Sequence, residues 1–191
     1  VFDMAGDGLR EVKNPSLMFL EGRPNDASGS AVVCTLEGTR PVLAEIQALV
    51  SPTGFGMPRR MATGMDYNRV NLLIAVLEKR VGLNLQSQDS YVNIVGGFRL
   101  DEPAVDLGVV VAIASSFKNI SVDKGLAVIG EVGLTGELRA VNQLDKRLSE
   151  IQKLGFTSCI IPHANSRGLQ PVKGLTVHTA KNVTEALGLI F

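Results

Sequence analysis

Residues 104–117, "AVDLGVVVAIASSF", are apolar on nearly every side of a helical wheel, so the helix they form has to lie buried at the centre of a domain. The run is too short to cross a bilayer, and no apolar run elsewhere in the chain reaches that length. Pro103 marks the helix start, where its missing N–H would have had no partner anyway. Just before it, residues 100–110 read "LDEPAVDLGVV": an acidic turn, a proline and a small-residue helix start. Such a turn is a place to mount a nucleophile against a helix N-terminus, yet it holds no Ser, Thr or Cys.

The remaining patterns supply what covers that helix. "VFDMAGDGLREV" predicts a hairpin around Gly6 and Gly8, and "NPSLMFLEG" a short extended or turn segment. "AVVCTLEGTRPVLAEIQALV" predicts two strands, with Gly38 in the turn and Pro41 opening the second. Residues 51–65, "SPTGFGMPRRMATGM", read as a loop without a single acid and long for a compact domain, as functional or disordered loops are. "YNRVNLLIAVLEKRV" places Val70, Leu73, Ile74 and Leu77 on one helical stripe, and "YVNIVGG" reads as a buried strand. Then come strand, glycine-rich turn and strand in "GLAVIGEVGLTGELRAV", and a helix over 142–154 with Gly155 as its stop. Strands "FTSCIIP" and "GLTVHTA" lead to a final helix capped by Asn182 or Thr184. With 191 residues, 45% of them hydrophobic, the chain can bury a real core as one α+β domain. Its β-rich hairpin portion is 1–66 and its α+β portion 67–191.

Chemistry is sparse. Lys and Arg number 19 against 19 for Asp and Glu, so any anionic partner must be met by a local patch. Cys34 and Cys159 stand singly in apolar runs, which fits buried thiols of a cytoplasmic protein and neither a disulfide framework nor a zinc site. His163 and His178 have no ligand spacing, so no metal is expected. There is no P-loop and no G-x-S-x-G elbow, and the one S-x-x-K, Ser115 to Lys118, lacks its companion motifs. No cofactor is expected on this chain. Arg40, Arg59, Arg60 and Arg69 fall at hairpin edges and a helix start, where guanidinium forks can reach backbone phosphates. Ordinary solvated charges and internal ion pairs are the competing reading. The start lacks both a signal peptide and an initiator Met, as expected of a piece of a longer chain.

"NPSLMFLEG", "EGTRPVLAEIQALV", "PRRMATGMDYNRVNLLIAVLEKR", "VNIVGG" and "GEVGLTGELRAV" follow one another as in the C-terminal part of the RadA (Sms) family of RecA-like DNA repair proteins, which the whole chain resembles. In that family a zinc finger and an ATPase core precede this region, so zinc and ATP with magnesium are implied only for domains that these residues do not include. The region itself resembles the proteolytic domain of Lon, with a fold like domain 2 of ribosomal protein S5. Set against Lon's "GPSAG", "AVDLG" puts Asp106 at the nucleophile position and Gly108 at the last glycine; "NQLDKR" puts Asp145 at the activating lysine. Lys146 points about 100° away from Asp145 on a helix and does not replace that lysine. The resemblance therefore implies a domain without proteolytic activity, a peptidase built on the two aspartates being the remote alternative. It also implies hexameric ring assembly, DNA binding in homologous recombination and branch migration, and contact with RecA through the full-length protein. Arg139 in "TGELR" joins Arg40, Arg59, Arg60 and Arg69 as implied DNA contacts. A purely structural oligomerisation scaffold is the other reading that the resemblance allows.

Overall fold

The computed structural model describes residues 2–6, 8–11, 16, 20, 22, 26–54, 56–97 and 99–191. Strands β1 (Phe2–Ala5) and β2 (Gly8–Glu11) form the expected antiparallel hairpin, with Ala5 opposite Gly8. The "NPSLMFLEG" expectation falls largely outside the described residues.

The second hairpin is the backbone of the molecule. β3 (Ser30–Glu37) and β4 (Arg40–Pro52) pair antiparallel from Ser30 opposite Gln47 to Glu37 opposite Arg40, with Gly38 in the left-handed region at φ 63°. They sit inside a seven-stranded mixed sheet of order β11-β10-β7-β3-β4-β6-β5. β5 is Arg60–Thr63, β6 Gln88–Ile94, β7 Leu126–Val128, β10 Ser158–Pro162 and β11 Thr176–Ala180. β4 and β6 are antiparallel, whereas the β3–β7, β7–β10, β10–β11 and β5–β6 pairs are parallel. The sheet thus draws strands from both sides of residue 66. A small antiparallel pair, β8 (Glu131–Val132) and β9 (Leu138–Arg139), stands apart. An α/β arrangement of a mixed sheet with helices is consistent with the α+β expectation.

Alternation along β3 and β4 divides the core. Ala31, Val33, Ala44, Ile46 and Ala48 face one way and join the cluster that holds the central helix. Val32, Cys34 and Leu43 face the other way, with Ala127, Cys159 and Ile161. Helix α1 (Tyr67–Val76) and helix α2 (Asp106–Lys118) contribute to the first cluster; Leu148 and Ile151 of α3 (Leu144–Lys153) fill the second. α4 (Val183–Gly188) closes on α2, its N-terminus capped by Asn182, whose Oδ1 accepts from the Glu185 N–H at 2.9 Å.

Every residue of α2 from Asp106 to Ser115 is buried, as the all-round apolar pattern requires. Its far end is stapled to the hairpin. Ser115 Oγ accepts from the Gly29 N–H at 2.8 Å and donates to the Ile120 carbonyl at 2.5 Å, while Ser116 Oγ accepts from the Val50 N–H at 2.9 Å. The S-x-x-K serine is therefore a packing element. α1 carries the predicted stripe, Val70, Leu73 and Ile74 all being buried, and runs into a π turn (Leu77–Val81) that ends at Gly82.

Three expectations change. The loop over 51–65 is shorter than its composition implies, because β4 runs on to Pro52 and β5 pairs with β6 inside it. "YVNIVGG" is half-buried: Ser90, Val92 and Ile94 point into the core, while Asn93 is exposed and Tyr91 intermediate. "GLAVIGEVGLTGELRAV" makes three short strands where two were expected, because β7 joins the main sheet and only β8 and β9 pair with each other.

Gly108 is where α2 meets β3 most closely: a Cβ there would lie 2.1 Å from Val33 Cγ1 and 3.1 Å from Ile46 Cδ1. Alanine would gain about 1 kcal/mol of helix propensity, but relieving the clash with a stiff valine costs about 1–3 kcal/mol or more. Gly108→Ala is expected to destabilise the fold, read as a lower urea midpoint at unchanged m-value.

Candidate functional site

The turn that opens α2 is built from sequence outward. Pro103–Val105 form a 3-10 turn after the extended Glu102, and Asp106 begins the α-helix proper with its side chain only 2% exposed. Its carboxylate faces the positive end of the helix dipole, and both oxygens are engaged. Oδ1 accepts from Arg69 Nε at 3.0 Å; Oδ2 takes the Arg69 Nη2 ion pair and the Val132 N–H at 3.1 Å. Arg69 Nη2 also donates to the Val132 carbonyl at 2.8 Å. Arg69 is presented by the first turn of α1, whose N-cap Asp66 accepts from the Arg69 N–H at 2.8 Å. Burial pushes the Asp106 carboxyl above its ordinary value, and the hydrogen bonds from Arg69 and Val132 pull it only partly back. A hollow of about 160 Å³ lies beside the pair, lined among others by Met65, Asp66, Leu100 and Pro103.

A second ion pair begins four residues upstream, at Glu102. Arg147 of α3 is fully buried and uses all five of its N–H donors. Nε donates to the Asn142 carbonyl at 3.0 Å, Nη1 to the Cys34 carbonyl at 2.6 Å and to Glu102 Oε2 at 3.0 Å. Nη2 pairs with Glu102 Oε1 and donates to Asn142 Oδ1 at 3.0 Å. Glu102 also accepts from the Leu36 N–H at 3.0 Å and from Thr35 Oγ1 at 3.1 Å. Burial raises the Glu102 carboxyl, but the Arg147 hydrogen bond and charge, with Leu36 and Thr35, outweigh it and hold the group below the ordinary range. The sequence reading passed over Arg147, although a signal existed. Leu144, Leu148 and Ile151 make the buried stripe of α3, and Arg147 falls on that stripe at i+3.

Of the two aspartates that the Lon resemblance sets at its dyad, Asp106 is buried and Asp145 is exposed on the first turn of α3. The partners of the Asp106 carboxylate are Arg69 and Val132, and Lys146 donates to Gln143 Oε1 at 2.8 Å.

The five arginines do not form one patch. Arg69 turns inward to Asp106. Arg60 lies 3.5 Å from Glu78 of the π turn, and Arg139 pairs with Glu137 at 2.9 Å while remaining 61% exposed. Hydrogen bonds from Thr135, its own N–H and Arg139 push the Glu137 carboxyl down to about 2. Arg59 is exposed, its backbone N–H held by Asp89 Oδ1 at 2.8 Å. Arg40 opens β4, whereas Arg59 lies near its other end, where Ser51 faces Asp89. Eleven strand residues set those ends up to about 36 Å apart.

Both cysteines are buried as expected, and desolvation pushes the Cys34 thiol up to about 12 and the Cys159 thiol higher still. His163 and His178 are exposed, His163 Nδ1 lying 3.5 Å from Thr179 Oγ1. Among the described residues no three His, Cys, Asp or Glu side chains converge, and no helix is long and apolar enough to cross a membrane.

A family model described as ChlI, subunit ChlI of Mg-chelatase, matches residues 55–165, a span that includes β5 through β10, and the chain belongs to that family. Curated relatives carry a different name. The chain is 56% identical over 187 residues to proteins named DNA repair protein RadA from Halalkalibacterium halodurans and Bacillus subtilis, covering 98% of this chain and 41% of each relative. To the RadA of Streptococcus pneumoniae it is 50% identical over 191 residues, all of this chain and 46% of that protein. The chain thus spans less than half the length of these relatives, and it matches them as the C-terminal part of RadA, in agreement with the motif resemblance.

Because its folded pKa is lowered, Glu102 contributes stability that is fully present above its unfolded value of about 4.3. That contribution is lost as pH falls through the lower folded value. Glu102→Gln should therefore flatten the acid limb of stability below about pH 4, read from urea midpoints across a pH series.

Proposed function

We propose that the chain is a non-proteolytic, Lon-like domain with a ribosomal protein S5 domain 2-like fold. On this reading it supports ring assembly and non-sequence-specific DNA binding in a RecA-like DNA repair ATPase. The observation that carries the non-proteolytic part is the Asp106 carboxylate. It occupies the position that the Lon resemblance gives to the nucleophile, and Arg69 and the Val132 amide hold both of its oxygens. A carboxylate tied to a guanidinium in that way is a structural group.

The relatives' name, DNA repair protein RadA, supports a role in DNA repair. ATP hydrolysis with magnesium, and a zinc finger, belong on this reading to parts of the whole protein outside these residues. Hexamer formation, contact with RecA, and work in homologous recombination and branch migration in the cytoplasm are further properties proposed for that whole protein. The 1–66 and 67–191 portions act as one Lon-like unit.

For DNA contact Arg59 leads, because it is exposed in a stretch over 51–65 that carries no acid; Arg60, half-buried beside Glu78, is a secondary contact. Arg40 and Arg139 are outlying contacts. Arg69 serves the fold first. Equal numbers of acids and bases keep the intrinsic affinity of one domain modest, and multiple copies in a ring raise it through avidity. Arg59→Ala with Arg60→Ala should weaken binding to random-sequence duplex uniformly and reduce the slope of log K against log salt by about 1 to 2, the Arg59 contact supplying most of it. Unchanged affinity at low salt with the fold intact removes these two residues from the interface. A wild-type assembly that binds no DNA at all favours a pure scaffold.

A further inference from the structure

Among the described residues, part of one face of the seven-stranded sheet is exposed. α3 and its cluster cover the β7–β3–β4 side of that face, but the register carries three residues of the same face across the remaining strands. Leu49 of β4 lies opposite Tyr91 of β6, and Tyr91 lies opposite Met61 of β5. Leu49 is 61% exposed, Met61 58%, and Tyr91 is half-exposed between them. The neighbouring row places Gln47 opposite Asn93. The Gln47 amide is held by a 3.2 Å bond to the buried Glu45, while Asn93 is exposed and its side chain has no partner among the described residues. These residues and Leu49 line a hollow of about 250 Å³ beside the Tyr91 ring. Alternation along the chain puts Arg59, two residues before Met61, on this face, whereas Arg60 turns to the core side and Glu78.

We propose that this face is a stacking platform for single-stranded nucleic acid, with a base on the Tyr91 ring between Leu49 and Met61, its edge toward the Gln47 and Asn93 amides, and the adjoining phosphate at Arg59. The proposal rests on the reading of Arg59 as a phosphate contact and deepens it. A flat aromatic flanked by aliphatic side chains accepts any base face, and the amides offer both donors and acceptors to a base edge. A duplex hides its base faces in its own stack and offers this platform only phosphates. Charge favours the same occupant. The segment that forms the edge strand carries two arginines and no acid; of the carboxylates beside the platform, Glu45 is buried and accepts from Ser30 and Gln47, and Asp89 is occupied by the Arg59 N–H and lies 3.5 Å from Tyr91 Oη.

The test uses the 191-residue chain, a fluorescent oligothymidylate of about twenty nucleotides, enough to cross the platform, and a duplex of the same length, both at low salt. Tyr91→Leu should weaken oligothymidylate binding about ten-fold more than duplex binding, and Tyr91→Phe should stay within about two-fold of the parent on both. Arg59→Ala should weaken both ligands together. Thermal melting checks that each variant folds; the half-exposed position of Tyr91 tolerates either replacement. Equal affinity of Tyr91→Leu and the parent for oligothymidylate, with Arg59→Ala still weakened, overturns the platform and leaves the phosphate reading standing. A parent chain that binds neither ligand overturns both. Loss in Tyr91→Phe as deep as in Tyr91→Leu assigns the contact to the hydroxyl and overturns stacking. Self-association by sedimentation that Tyr91→Leu abolishes, with oligothymidylate affinity unmoved, gives the face to a second copy and overturns the proposal.

Discussion

Asp106 is a carboxylate at the first turn of a helix that is apolar on every side, with 1% of its surface in contact with solvent. A charge taken that far out of water persists only where partners replace its hydration. Three do so: the Arg69 fork, the Val132 amide and the helix dipole. Each comes from a different element, so the requirement to satisfy one buried group fixes α1, α2 and the β8–β9 pair against one another. Arg69 doubles the tie by donating to the Val132 carbonyl. The turn between Glu102 and Asp106 is therefore clamped from within.

The other clamp lies on the opposite face of the sheet. Arg147 reaches from α3 to the Cys34 carbonyl on β3 and to Glu102 at the head of the same turn. Two ion pairs thus bracket Pro103–Val105, one through α1 and one through α3. Buried pairs of this kind add little net stability over well-packed apolar replacements, while loss of one partner is costly. Their visible effect here is positional. They hold the N-terminus of α2 at a fixed place relative to both helical layers. A nucleophile would need that same placement, but here the group at the helix start is engaged by its neighbours.

Much of this architecture is legible in the sequence wherever a local pattern and a buried face coincide. Residues 104–117 could only be a central helix, Gly38 had to turn the β3–β4 hairpin, and the stripe of Val70, Leu73 and Ile74 named the buried side of α1. β5 was not legible, because glycines, a proline and methionines mask its alternation and its pairing with β6 is a tertiary event. The site divides in the same way. Asp106 stood out as the one charge in an apolar run, and its place at a helix start suited the dipole. Its guanidinium partner did not stand out, since Arg69 lies 37 residues upstream and looked like one more surface arginine. Arg147 was hidden for the opposite reason: a charged residue on an apolar stripe reads as an interruption until Glu102 and the Cys34 carbonyl are seen to meet it.

The helix start at Asp106 is, on these contacts, a structural tie. A double-mutant cycle tests it most directly: Arg69→Met, Asp106→Leu and the double variant, each measured by urea unfolding. The account predicts a coupling energy of about 2 kcal/mol or more, with each single variant less stable than the double variant's loss alone would imply. Coupling within about 0.3 kcal/mol of zero, with additive losses, would contradict it.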